Sequence, residues 1–234
     1  MLDDLKAQVC EANLKLVSYG LVFQTWGNVS GIDRQKGLVV IKPSGVAYET
    51  MKSHHMAVVS LDDGHQVEGN LAPSCDTPTH LVLYRAMQNI GGIAHTHSLC
   101  ATAWAQARQS IAPYGTTHAD HFHGEIPCTR PLRQEETDGD YEVNTGRVIL
   151  ETLAGRDALH TPGVLVAEHG PFAWGQTPAK AVDSAAVIEQ IAMLAGQTLR
   201  INADASPISR WLMDRHFHRK HGPNAYYGQP PKQK

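Results

Sequence analysis

The sequence predicts one layered α/β domain. Three observations carry this. Short apolar, β-branched runs alternate along the chain with stretches of helical periodicity. No internal repeat and no Pro/Gly/Ser-rich linker divides it. The chain has 234 residues, 42% hydrophobic and 18% charged, a composition ordinary for a globular fold with a sizeable core.

The elements follow in order. Leu2, Leu5, Val9 and Leu16 fall near one face at helical spacing, which predicts an amphipathic helix over 2–18 closed by Gly20. LVVIK (38–42) reads as a strand, and KPSG as the turn after it. MAVVSL (56–61) is a second strand run, with DDG as its turn signal. Thr77-Pro78 has the form of a helix start and opens THLVLYRAMQ. GGIAHTH (91–97) reads as a strand, SLCATAWAQA (98–107) as a helix, and 110–145 as irregular with at most one short strand. GVLVAEHG (163–170) reads as a strand ending at glycine, and residues 178–199 and 206–220 as helices. One domain is expected over 1–229, with 230–234 as a loose tail.

Lys and Arg total 20 against 23 Asp and Glu, a net charge of −3, and no block of like charge stands out. Neither a nucleic-acid arm nor a polybasic membrane patch is expected. No apolar run approaches the ~18 residues of a membrane span. The N-terminus is polar and periodic, unlike a secretion signal. Cys10, Cys75, Cys100 and Cys128 form no C-x-x-C pair, so reduced thiols in a cytoplasmic protein are expected. Histidine is the outlier, with 14 residues. It is the commonest metal ligand and proton shuttle.

His95-Thr96-His97 is the sharpest local feature. In a strand both imidazoles would project from one face, as two ligands of one metal require. His169 ends a second apolar run, and Asp76 precedes the Thr-Pro helix start. Three histidines and a carboxylate suit Zn²⁺ or a similar divalent ion. A lone H-x-H is nonetheless more often two satisfied polar side chains than a site. Spacing does not choose between 95/97 and His121-Phe122-His123, which has the same pattern with His118 and Asp120 nearby. His216, His218 and His221 lie among Arg215, Arg219 and Lys220, where like charge would oppose a cation. No Walker loop, G-x-G-x-x-G or G-x-S-x-G is present. Gly27-Asn28-Val29-Ser30, Lys42-Pro43-Ser44-Gly45 and Ser74 could hold an anion through N–H groups and hydroxyls.

Eight segments, in order, resemble the class II aldolase superfamily: TWGNVS (25–30), IKPSGV (41–46), PSCDTPTH (73–80), GGIAHTHS (91–98), GTTHAD (115–120), IPCTR (126–130), EHGPFAWG (168–175) and RKHGPNAYYGQ (219–229). Within it they are most similar to the L-ribulose-5-phosphate 4-epimerases. GLVVIKPSGVAYETMK and HGPNAYYGQ look most like the epimerase of bacterial L-ascorbate utilisation. The resemblance implies a class II aldolase-like α/β/α sandwich with a central mixed, mainly antiparallel sheet. It also implies a fourfold homotetramer with active sites between subunits. It assigns one divalent metal per subunit, Zn²⁺ first with Mn²⁺ or Co²⁺ possible alternatives, to Asp76, His95, His97 and His169. The His121/His123 pair falls where relatives often carry Tyr. The phosphate-binding positions fall on Gly27, Asn28, Lys42, Ser44, Gly45, Ser74 and position 75, where Cys75 replaces the common Ser. The acid/base pair falls on Asp120 and Tyr227, reaching in from the adjacent subunit. Thr116, Glu142, His216 and Arg219 match lesser positions lining that interface.

The implied activity inverts C4 of L-ribulose 5-phosphate to give D-xylulose 5-phosphate. The C4 proton is not next to the carbonyl, so simple enolisation cannot remove it. Retro-aldol cleavage of C3–C4, rotation of the aldehyde and aldol re-addition would invert it, with the metal as Lewis acid. L-Arabinose and L-ascorbate breakdown both converge on this substrate. One alternative is a class II aldolase of the L-fuculose 1-phosphate type, which resembles the pattern with Glu at position 76. Another is a non-catalytic binding module like the adducin head, which shares the fold without the metal histidines.

Overall fold

The computed structural model describes residues 2–223 and 225–228, so the expected tail at 230–234 lies outside the described residues. Helix α1 (Asp3–Ser18) opens the chain and stops where Gly20 takes a positive φ of 66°. Strands β1 (Asn28–Asp33), β2 (Leu38–Ile41), β3 (Ala57–Ser60) and β4 (Gln66–Glu68) follow as a meander. Then come α2 (Thr77–Ala86), β5 (Gly92–His95), α3 (Leu99–Gln106) and α4 (Thr116–Ala119). Next are α5 (Gln134–Asp138), α6 (Tyr141–Thr152), β6 (Gly163–Val166), β7 (Gly170–Gly175), α7 (Pro178–Ile201) and α8 (Arg210–Lys220).

The seven strands form one sheet in the order β4-β3-β2-β1-β5-β7-β6. Every strand pair is antiparallel, and the sheet's parallel character reduces to an isolated Cys128–Leu165 bridge. Side-chain alternation divides the core between the two faces. Val29, Ala94 and Ala173 pack with α1, α3 and α7, whereas Ile93, Phe172 and Trp174 pack with α2 and α6. The result is the α/β/α sandwich that the motifs imply. The helix layer sits close on β5 because Gly92 has no side chain: a Cβ there would lie 2.5 Å from the Pro178 backbone.

Several segments depart from the sequence-based expectations: strands β1 and β4 are additional, and α8 begins at Arg210 where a helix is expected from 206. Residues 110–145 are less irregular than expected, since they contain α4, α5 and the start of α6. The 163–170 run holds one strand, β6, with His169 in the turn after it and Gly170 opening the further strand β7. Strand β5 ends at His95, so His97 is not a strand residue. No described helix is long and apolar enough to cross a membrane.

Candidate active site

The carboxyl end of β5 is built to hold a chain reversal. Asn13 on α1 receives the Val29 N–H at 2.9 Å and donates to the Val29 carbonyl at 3.1 Å, fixing the start of β1. Asn28 pairs in register with His95. Past His95 the chain turns into α3. The carboxylate of Glu189, on α7, receives the N–H groups of Cys100 and Ala101 at 2.8 and 2.9 Å. This near-buried acid satisfies two orphan donors and the positive end of α3, so it fixes the turn that carries His97.

Three imidazoles converge there. Ring centroids lie 4.9 Å apart for His95–His97, 4.7 Å for His95–His169 and 5.0 Å for His97–His169. His95 is buried, stacks on Phe172 at 4.1 Å, and donates from Nδ1 to the Pro171 carbonyl at 3.0 Å. Its Nε2 therefore carries the lone pair, and faces His97 Nε2 at 3.1 Å. Tetrahedral ligands 2.0–2.1 Å from a Zn²⁺ ion stand about 3.3 Å apart, so this spacing fits a shared cation. Burial pushes His97 down to about 4 and His169 to about 3. Both rings are thus neutral at ordinary pH, the form that ligates.

Asp76, at the start of α2, stands beside the triad. Its Oδ2 accepts from Asn28 Nδ2 at 2.6 Å. Burial would raise its carboxyl, but the neighbouring His95 and His80 imidazoles and the Asn28 bond outweigh that and hold it below the usual range. No local pattern marks Tyr141, yet its hydroxyl lies 3.4 Å from His169 Nδ1. Only the packing of α6 brings it there. Glu142 belongs to this side too, since its carbonyl accepts from Thr79 Oγ1 on α2 at 2.6 Å.

The anion-binding candidates are brought together around Asp76. Ser44 N–H reaches the Ala72 carbonyl at 2.9 Å, and Ser74 N–H the Lys42 carbonyl at 3.0 Å, so the KPSG and PSCD loops pair. Gly27 has a φ of 76°, and a Cβ there would lie 2.9 Å from the His95 carbonyl, so only glycine allows this approach. Asn28 Nδ2 also reaches Ser74 Oγ at 3.1 Å. Ser44, Gly45 and Cys75 are exposed, whereas Lys42 is buried. Partial desolvation of the thiol and the charges of Asp76 and Glu142 raise Cys75, keeping it protonated.

A second group gathers elsewhere. Arg219 donates to Asp120 from Nε at 2.9 Å and Nη2 at 2.6 Å, and His216 Nδ1 lies 3.0 Å from the same carboxylate. Burial would raise Asp120, but these partners prevail and keep it an anion. Thr116 opens α4, and its carbonyl accepts the Asp120 N–H at 2.9 Å. The Arg219 guanidinium sits 5.0 Å from the Tyr227 ring centre. Among the described residues no hydrogen bond, ion pair or ring contact joins this group to the histidine triad. His121 and His123 do not form a pair: His123 bonds instead to Asp214 on α8.

Residues 7–195 match the family model described as Class II Aldolase and Adducin N-terminal domain. The chain belongs to this family. L-ribulose-5-phosphate 4-epimerase UlaF of Salmonella paratyphi A (strain ATCC 9150 / SARB42) is 59% identical over 225 residues, covering 96% of this chain and 98% of that protein. The protein of the same name from Salmonella typhi matches equally. Among solved structures, an L-fuculose 1-phosphate aldolase superposes with a TM-score of 0.78 at 25% identity, over 92% of this chain and 95% of that one. The L-fuculose 1-phosphate aldolase of Glaciozyma antarctica PI12 shares the fold, with a TM-score of 0.73 at 17% identity over 95% and 84%. Class II aldolases use a divalent metal, and the histidine triad is a fitting place for one.

Proposed function

We propose that this chain is a cytoplasmic, single-domain, metal-dependent epimerase that interconverts L-ribulose 5-phosphate and D-xylulose 5-phosphate at C4. The observation that carries this is the facing of His95 Nε2 and His97 Nε2 at 3.1 Å, with His95 Nδ1 committed to a backbone carbonyl. That arrangement leaves lone pairs converging on one point, the chemistry of a ligand set and not of a binding module. The similarity to epimerases supports the substrate.

In this reading His95, His97, His169 and Asp76 hold one divalent cation, Zn²⁺ first, with Mn²⁺ and Co²⁺ compatible. When bound, such an ion supplies the Lewis-acid charge that breaking C3–C4 requires. The chain's residues do the rest. Gly27, Asn28, Ser44, Gly45, Ser74 and Cys75 present N–H and side-chain donors to the phosphate, and Lys42 adds a positive charge. This anchors the two-carbon aldehyde phosphate while its carbonyl turns over. Asp120 and Tyr227 serve opposite faces: one takes the C4 hydroxyl proton, the other protonates the oxygen formed on re-addition, and they exchange roles with direction. Arg219 and His216 hold the Asp120 carboxylate with Thr116 beside it, and Glu142 lines the Asp76 side of the completed site.

The two half-sites meet only if a neighbouring copy supplies Asp120 and Tyr227. The exposed apolar residues are consistent with this. Phe23, Trp26 and Leu99 rim the triad side, and Trp211, Tyr226 and Tyr227 are exposed on and after α8. A head-to-tail contact between unlike patches closes into a ring, here a fourfold one. The aldolase reading is weaker because Asp76 is engaged by Asn28 and one methylene short of the Glu that serves as base there. The test is product analysis by NMR with each sugar phosphate. D-xylulose 5-phosphate formed from L-ribulose 5-phosphate supports the proposal. Cleavage of L-fuculose 1-phosphate with no epimerisation makes the protein an aldolase.

A further inference from the structure

The function above leaves unused a histidine cluster on the far face of α8. We propose that His123, Asp214 and His218 form a second divalent-cation site, separate from the His95–His97–His169 centre. Asp214 and His218 are four residues apart on a helix, so their side chains lie one above the other on one face. His123 approaches that face from the segment after α4. One ligand atom from each of the three lies within 4.8 Å of the others. His123 Nε2 and Asp214 Oδ1 are joined by a 2.7 Å hydrogen bond that a shared ion would replace, and the His123 and His218 rings are 5.7 Å apart. His123 is also held in place: its N–H donates to the His160 carbonyl at 3.0 Å, and its ring lies 4.9 Å from that of buried Phe217.

The basic residues of α8 do not oppose a cation there. His216, Arg219 and Lys220 are turned towards Asp120, at 3.0, 2.6 and 3.5 Å. At 100° per residue they lie roughly opposite Asp214 and His218 on the helix. Arg210 and Arg215 are the cations nearer that face: Arg210 Nε lies 3.8 Å from Asp214 Oδ2 with its side chain 86% exposed, and Arg215 is exposed, so both are free to swing away. Two imidazoles and one carboxylate select a borderline divalent ion such as Zn²⁺, with water completing the sphere. Bound there, the ion would cross-link α8 to the segment after α4, the two elements that hold Asp120 between Arg219 and His216. The site would brace that cluster without touching substrate.

The test is metal content. The chelator-stripped full chain is refilled with Zn²⁺, dialysed and measured by elemental analysis, beside His218→Ala, Asp214→Asn and His97→Ala. The parent should hold about two ions per chain and each of the three variants about one. Circular dichroism confirms that the variants, two of them changed on the surface of one helix, remain folded. A parent holding one ion, or counts that His218→Ala and Asp214→Asn leave unchanged, would overturn the site. His97→Ala reports on the triad alone, so a failure there is distinguishable from a failure here.

Discussion

The Lys42 ammonium lies 4.9 Å from the centre of the Tyr48 ring, and its hydrogen bonds go to the Thr25 and Pro43 carbonyls, at 3.2 and 3.5 Å. A buried cation held by a ring face and two carbonyls is under-neutralised, and burial lowers its pKa. A phosphate brought to the adjoining loops would complete the charge. Lys42→Met should therefore raise KM by roughly 30-fold, the worth of about 2 kcal/mol for a charged hydrogen bond. The free protein should respond in the opposite sense. Between the lowered pKa and the ordinary value the unfolded chain binds more protons, so wild-type stability rises with pH across that window. Lys42→Met should remove this rise and increase Tm at neutral pH. Thermal melts from neutral to alkaline pH check both signs.

At Cys75, where the family resemblance implies a Ser, the thiol stays neutral, raised by partial desolvation and by Asp76 and Glu142. A thiol donates weakly. Cys75→Ser should lower KM about fivefold, the equivalent of about 1 kcal/mol. An unchanged KM would mean that the backbone N–H alone contacts the phosphate.

Asp120 and the triad share no contact among the described residues, so a complete site needs two subunits. His97→Ala and Asp120→Asn should each be inactive alone. Refolded together at equal amounts, random assembly leaves about a quarter of the sites with both residues intact. Activity returning to about a quarter of wild type is expected. No recovery would place both residues of a site in one chain.

His118 is buried, has Nε2 2.8 Å from the Gly124 carbonyl, and is pushed by burial down to about 4. Its unfolded value is about 6.5, so below that pH the unfolded chain binds the extra proton and the fold loses stability. The loss approaches about 1.4 kcal/mol per pH unit and levels off near pH 4. His118→Gln should flatten this slope in denaturant titrations between pH 6.5 and 4.5. A slope unchanged from wild type would mean that other groups set the acid limit.

Most of the helices were legible because their apolar spacing and Gly/Pro punctuation are local: Gly20, Thr77-Pro78 and the alanine-rich α7 behave as their chemistry dictates. Strand β1 was hidden. Its sequence NVSGID looks like a polar turn, and it is central because Gly31 lets Leu5 and Pro178 lie on it. Strand β7 was masked by its Gly-Pro start. The His95 and His97 imidazoles do meet, but through a turn held by Glu189 and not through strand alternation. The grouping of Asp120 with Arg219, and of His123 with Asp214, depends on where α8 packs, which no local pattern encodes.

The most direct test of the central claim is to run the reaction in D₂O with the metal-replete protein and follow C4 by NMR, before and after chelation. Retro-aldol cleavage never breaks the C4–H bond, so D-xylulose 5-phosphate should form without deuterium at C4, and its formation should stop on chelation and resume when Zn²⁺ is restored. Deuterium at C4, or product formation indifferent to chelation, would contradict the account.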